Sequence, residues 1–169
     1  MRSLFVLIFL INISFGRDYI YFLPQDGYKA ENKITYLFTH AHESIKIAIY
    51  AFTNKKFLKA LKIAARKGIK VTIIADYSSN KNQRYHSIVP ILRKLRNIKV
   101  KFLNGTGRRY KGIMHIKMFI VDDRVVGFGS ANYTYSAFHN NYEILYINND
   151  WTFTRKFVKI FNELEKKSN

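Results

Sequence analysis

Segments with the two-residue period of a strand and segments with the period of a helix alternate along this chain from Tyr19 to Leu164. That alternation restricts the possible folds more than any other feature. Residues 19–23 are a short apolar stretch of strand character, and Ile34, Leu37, Phe38 and Ala41 follow at helical spacing within residues 29–42. Residues 45–52 alternate and are rich in β-formers. Asn54 stands at the cap of a helix carrying Phe57, Leu58, Leu61 and Ala65, which Gly68 ends. Residues 69–75 read as a buried strand. Residues 84–97 read as a helix with Ile88, Ile91, Leu92 and Leu95 on one side and Pro90 near its start. Residues 98–103 form another strand candidate, followed by a basic, glycine-containing loop over 104–112. Residues 113–121 and 125–129 read as a hairpin turning at Asp122-Asp123-Arg124. A short helix or turn over 132–138 and a strand over 143–147 come next. Asp150 then caps a last helix whose apolar stripe is Phe153, Phe157, Ile160, Phe161 and Leu164. Elements in this order predict one α/β domain, a mixed β-sheet flanked by helices.

The first sixteen residues stand apart. Arg2 is followed by an unbroken apolar run over 4–10, extended by Ile11 and Ile13, and then by Ser14-Phe15-Gly16. That is the order of a secretory signal peptide with cleavage after Gly16. The run is shorter than the ~20 residues a membrane span needs. The expected organisation is a signal over 1–16 and a single domain over 17–169. The protein is expected to be exported, periplasmic or secreted, or held at a membrane if the segment stays uncleaved. A hydrophobic fraction of 48% and an aromatic fraction of 16% exclude a disordered chain. The absence of cysteine excludes disulfides, thiolate metal sites and a cysteine nucleophile.

The charge is one-sided. Twenty-nine Lys and Arg face 11 Asp and Glu, a net of +18, which calls for a polyanionic partner. Part of the lysine excess accompanies the many Asn, Ile, Phe and Tyr residues of an A/T-rich coding bias. From Tyr77 to Val121, however, there is no acidic residue among 45, and eleven are Lys or Arg. This is the expected footprint of phosphate-backbone binding. Lys99, Lys101, Arg108, Arg109 and Lys111 are its candidate contacts, with Tyr110 and Tyr133 as candidate base-stacking residues.

The chemistry concentrates on the hairpin. His115 and Lys117 are two apart on a strand and share a face, with Ile116, Met118 and Ile120 on the other. Gly129-Ser130-Ala131-Asn132 follows at the second strand end, and Glu143 opens the next strand. In this set His115 is a nucleophile or acid, Lys117 a cationic phosphate clamp, and Ser130 and Asn132 are neutral phosphate donors. Glu143 is a carboxylate able to orient the imidazole. Asp76, Asp122 and Asp123 are too dispersed for a Mg²⁺ cluster, and His40 and His42, two apart, do not share a helical face. No metal or other cofactor is expected.

The pattern His115-x-Lys117-x4-Asp122-x6-Gly129-Ser130-x-Asn132 resembles the signature of the phospholipase D superfamily at every position. The single copy, short length and export signal are most similar to its small bacterial endonuclease branch. The resemblance implies that His115 forms a phosphohistidine, that Lys117, Ser130 and Asn132 bind the phosphate, and that Glu143 holds the histidine. It places Asp122 third in the signature, in a hairpin turn suited to bracing the site. One motif copy supplies one histidine, whereas in-line displacement uses a nucleophile on one side and an acid on the other. The resemblance therefore implies a homodimer with one shared active site. Three functions compete: a metal-independent nuclease acting on DNA or RNA, with single strands preferred; a phospholipase or cardiolipin hydrolase; and an exported nucleic-acid-binding or uptake protein.

Overall fold

A computed structural model describes residues 17–81, 86–107 and 112–169. The expected signal segment, and Arg108, Arg109, Tyr110 and Lys111, lie outside the described residues. Seven strands and six helices occur among them: β1 (Asp18–Leu23), α1 (Gly27–Thr39), β2 (Ser44–Ile49), α2 (Lys55–Arg66), β3 (Lys70–Asp76), α3 (Tyr77–Asn80), α4 (Val89–Leu92), β4 (Ile98–Leu103), β5 (Lys117–Val121), β6 (Val125–Gly129), α5 (Tyr135–His139), β7 (Glu143–Asn148) and α6 (Trp151–Lys167).

The strands form one mixed sheet in the order β1-β7-β6-β5-β2-β3-β4. β2, β3 and β4 are parallel, and the other neighbours are antiparallel. This is the α/β sheet flanked by helices that the alternation predicts. One face packs a large core against α1 and α2, with Ile34, Phe38, Phe57, Leu61, Ile45, Ile47 and Phe119 fully buried. The other packs Ala48, Ile74, Met118, Ile120 and Val126 against Phe161 of α6. β5 is therefore buried on both faces, and Lys117 lies on the face of Phe119 and Val121, not on a solvent face.

The caps follow the sequence. The Asn54 side chain accepts from the N–H groups of Lys56 and Phe57, and that of Asp150 accepts from Phe153. Gly68 leaves α2 at φ +86°, a conformation open to glycine without strain. Two expectations are corrected. The helix expected over 84–97 is helical only at Val89–Leu92 among the described residues. Asn97, at φ +66°, turns the chain so that Ile98 enters the sheet beside Val71. The hairpin strand expected to begin at residue 113 begins at Lys117, so His115 sits just before the strand and not within it.

Candidate active site at the sheet edge

Parallel strands collect functional groups at their carboxyl ends. Here the ends of β2, β3 and β4 lie at the same edge as the start of β5, the end of β6 and the start of β7, because Lys117 pairs with Ile49 and Gly129 with Leu145. Five of the expected site residues, His115, Lys117, Ser130, Asn132 and Glu143, converge at that edge. His115 is exposed there, while Lys117 is only 6% accessible and donates from Nζ to the His115 carbonyl at 2.8 Å. Burial pushes the Lys117 ammonium below its ordinary pKa, and the nearby Glu143 carboxylate opposes that shift. The Ser130 hydroxyl donates to the Glu143 carboxylate and accepts from the Ile144 N–H at 3.1 Å. Asn132 accepts on Oδ1 from the Ala51 N–H at 3.3 Å, which leaves its amide NH2 as the group available to an anion.

Two residues that the sequence reading missed complete the setting. The Tyr50 ring packs edge-on against His115, 4.7 Å between centroids, and lies 5.4 Å from Lys117 Nζ. It therefore contacts both halves of the His-x-Lys pair. Its sequence signal is its position one residue beyond the end of a parallel strand. Asp76, at the end of β3, accepts from the Met114 N–H at 3.0 Å and from the Ser79 N–H at 2.9 Å. It thereby ties the segment bearing His115 to the sheet. Asn80 steadies the same region by donating to the Tyr50 carbonyl at 2.5 Å.

The structure moves other residues away from the chemistry. Within the chain, Glu143 engages Ser130 and not His115, because the β6–β7 pairing brings Ser130 opposite Ile144, within reach of the neighbouring Glu143. Asp122 lies at the far end of β5, about 16 Å from Lys117 at ~3.3 Å per residue. It accepts from the N–H groups of His42 at 3.0 Å, Glu43 at 2.8 Å and Ser44 at 2.9 Å. Burial disfavours its charge, but these three donors overcome the cost and hold its carboxyl below the usual range. Asp122 thus braces the β2–β5 pair, at the opposite end of β5 from His115. Tyr133 is buried against Phe52 and Phe57, which removes it from base stacking. Lys99 and Lys101 project towards α6, where they bond the Glu165 carboxylate at 2.8 Å and its carbonyl at 2.6 Å. They belong to the α6 face, not to the active edge.

The comparisons with known proteins agree with this architecture. A family model described as cardiolipin synthase, PLD-like domain, matches residues 34–165. The structure of NucT from Helicobacter pylori is 37% identical and superposes with a TM-score of 0.87 over 90% of this chain and 98% of that one. A cardiolipin synthase of Halalkalibacterium halodurans is 30% identical over 123 residues, 72% of this chain and 24% of its own length. The mitochondrial cardiolipin hydrolase of Homo sapiens is 27% identical over 146 residues, 85% of this chain and 54% of its own length. The chain thus spans between a quarter and about half of these curated relatives. With the His-x-Lys pair, Ser130, Asn132 and Glu143 gathered on one sheet edge, and with most of its length matched by the PLD-like model, the chain belongs to the phospholipase D superfamily of phosphodiester-acting enzymes.

Proposed function

We propose that this protein is an exported, metal-independent nuclease that cleaves DNA or RNA with little sequence preference, single strands best, through a phosphohistidine at a homodimeric site. The observation that carries the reading is the convergence of His115, Lys117, Ser130 and Asn132 on one edge of a chain that has no acidic residue from Tyr77 to Val121. The near-complete overlap with NucT supports it, since both chains have this size.

His115 attacks phosphorus in line, forming a P–N bond as the bond to the leaving sugar oxygen breaks. Lys117 and the Asn132 amide hold the non-bridging oxygens, where charge accumulates in the transition state. Ser130 spends its one hydroxyl proton on Glu143 and so fixes that carboxylate at the rim of the site. The leaving oxygen takes a proton from the His115 of a second copy, which then takes a proton from water as that water attacks phosphorus, the P–N bond breaks, and the strand end leaves as a phosphomonoester. An exposed apolar patch beside the site supports pairing. Phe22 is 58%, Tyr142 87% and Ile144 49% accessible, and together with Ser130 and Glu143 they line one cleft. Faces of this kind are found at interfaces. Export rests on the ordered charged, apolar and small-residue segment over 1–16, and membrane association is the outcome if that segment is retained.

The cardiolipin relatives favour a second reading, a lipid phosphodiesterase, for which the same patch would receive acyl chains. One assay separates the two. Wild type and His115→Ala are incubated in excess EDTA with labelled single- and double-stranded nucleic acid and with cardiolipin vesicles. Cleavage of nucleic acid, fastest on single strands and abolished in His115→Ala, is the expected result. Cleavage of lipid alone, strict Mg²⁺ dependence, or binding without cleavage each overturns the proposal.

A further inference from the structure

The outward face of α2 is unusual for a helix. Lys55, Lys59, Lys62 and Arg66 recur at intervals of four, three and four, opposite the buried Phe57, Ala60, Leu61 and Ala64. The described residues include every acidic residue of the chain, and among them no carboxylate forms an ion pair with these four side chains. Like charges at such spacing repel by about 0.2–0.5 kcal/mol per pair. Lys55 also sits in the first turn, which carries no acid, at the end of the helix dipole that disfavours cations. A helix that serves only as a wall would gain from an acidic residue at any of these positions.

The stripe has a direction. α2 starts at the active edge, where the N–H groups of Thr53 and Asn54 donate to the Tyr133 carbonyl at 2.9 Å and Ala51 binds Asn132. Its 12 residues span about 18 Å at ~1.5 Å per residue. They end at the opposite edge, where Asn97 donates to the Ala65 carbonyl at 3.0 Å. There a cleft of about 680 Å³ opens between Lys62, Ala65, Arg66, Leu95, Arg96 and Asn97. Three cations rim an apolar floor, and Arg96 likewise has no carboxylate partner among the described residues.

We propose that α2 is a phosphate rail. The flank of a nucleic-acid substrate leaves the site past Asn132, lies along Lys55, Lys59, Lys62 and Arg66, and ends in the cleft between Arg66 and Arg96. This rests on the nuclease reading above. A line of cations fits a linear polyanion, and the large apolar side chains flanking the stripe, Leu58 and Ile63, are half-buried and not presented outward as the apolar face of an interfacial helix is. The four contacts relieve the repulsion within α2, so the binding energy includes interactions that are unfavourable in the free protein.

The test measures binding apart from cleavage, with all variants carried on His115→Ala. The rail variant combines Lys55→Gln, Lys59→Gln, Lys62→Gln and Arg66→Gln. Glutamine keeps helix propensity, and removing like-charge pairs should leave the melting temperature at or above that of the parent. A strand of about 30 nucleotides and one of about 6 are titrated at several salt concentrations. For the long strand, the slope of log affinity against log salt should fall by about 3 units, four phosphates at ~0.7 each, while the short strand binds within about twofold of the parent. The double variant Lys59→Gln with Arg66→Gln should lose about half as much slope. An unchanged long-strand slope, an equal loss on both strands, or a loss confined to cardiolipin vesicles overturns the rail. So does a parent that binds no nucleic acid. Failure of the nuclease reading shows separately, as wild-type protein that cleaves only lipid.

Discussion

Lys117 combines two demands that oppose each other. The proposed phosphate clamp needs its charge, and burial at the head of β5 disfavours that charge, with Glu143 supplying part of the compensation. Its pKa is therefore lowered, and the cation is lost at a lower pH than the ordinary lysine value of ~10.4. The alkaline limb of kcat/KM should accordingly fall below that value, and Lys117→Arg, which stays charged, should flatten the limb even if it lowers the rate. A limb at the ordinary lysine pH would show that the buried environment does not control the clamp. Asp122 gives the contrasting case. Its folded-state pKa is depressed, so its stabilisation is full above ~3.9 and is lost as pH falls through the lower folded value. Asp122→Asn keeps an oxygen acceptor and tolerates the left-handed φ of +53° but loses the charge. It should destabilise by about 1–3 kcal/mol at neutral pH, with the difference from wild type shrinking below pH ~4. Activity per folded molecule should be unchanged, and a large drop in kcat at full folding would return Asp122 to the chemistry.

Among the elements, the β6–β7 pair positions Ser130 and Glu143. A Cβ on Gly129 would lie 2.0 Å from the Ile144 carbonyl oxygen, and that oxygen accepts from the Ser130 N–H at 3.0 Å. Neither backbone can yield without opening the ladder that sets Ser130 against Glu143. Gly129→Ala should cost about 2–3 kcal/mol by overpacking and lower activity beyond its effect on folding. Chemical denaturation together with rates per folded molecule separates the two effects. The other side of the site depends on α2. Its cap residue Asn54 also donates to the buried Glu31 at 2.7 Å, so one side chain joins α1 to the start of the helix that follows Ala51 and its contact with Asn132.

At the scale of the whole molecule, one sheet edge carries one His115, and the apolar patch formed by Phe22, Tyr142 and Ile144 adjoins it. If two copies share one site, wild type mixed in equal amounts with His115→Asn and allowed to exchange subunits should retain about a quarter of the activity, because only wild-type pairs hold two histidines. Independent sites would leave about half. Phe22→Glu with Ile144→Glu should shift the protein to a monomer by light scattering and remove activity together with the dimer. A fully active monomer would refute the shared site.

Most of the fold was legible in residue patterns because periodicity and caps are local. The alternation marks the sheet and its helices, Asn54 and Asp150 mark two helix starts, and the His-x-Lys pair with Ser130 and Asn132 marks the site. The failures were non-local. The helix expected over 84–97 yielded to the need for Ile98 to pair with Val71. Tyr133 and the strand lysines were assigned by nearness in sequence, while packing against Phe57 and bonds to Glu165 decided where they point. Tyr50 and Asp76 entered the site through the parallel order of β2 and β3, which no spacing along the chain encodes. Residue patterns were enough for most element types and for the candidate site residues, since both are properties of short segments. Which strand ends meet, which charges stay free of carboxylates among the described residues, and which backbone groups Asp122 braces follow from the folded arrangement, because they depend on strand order and on the burial that packing imposes.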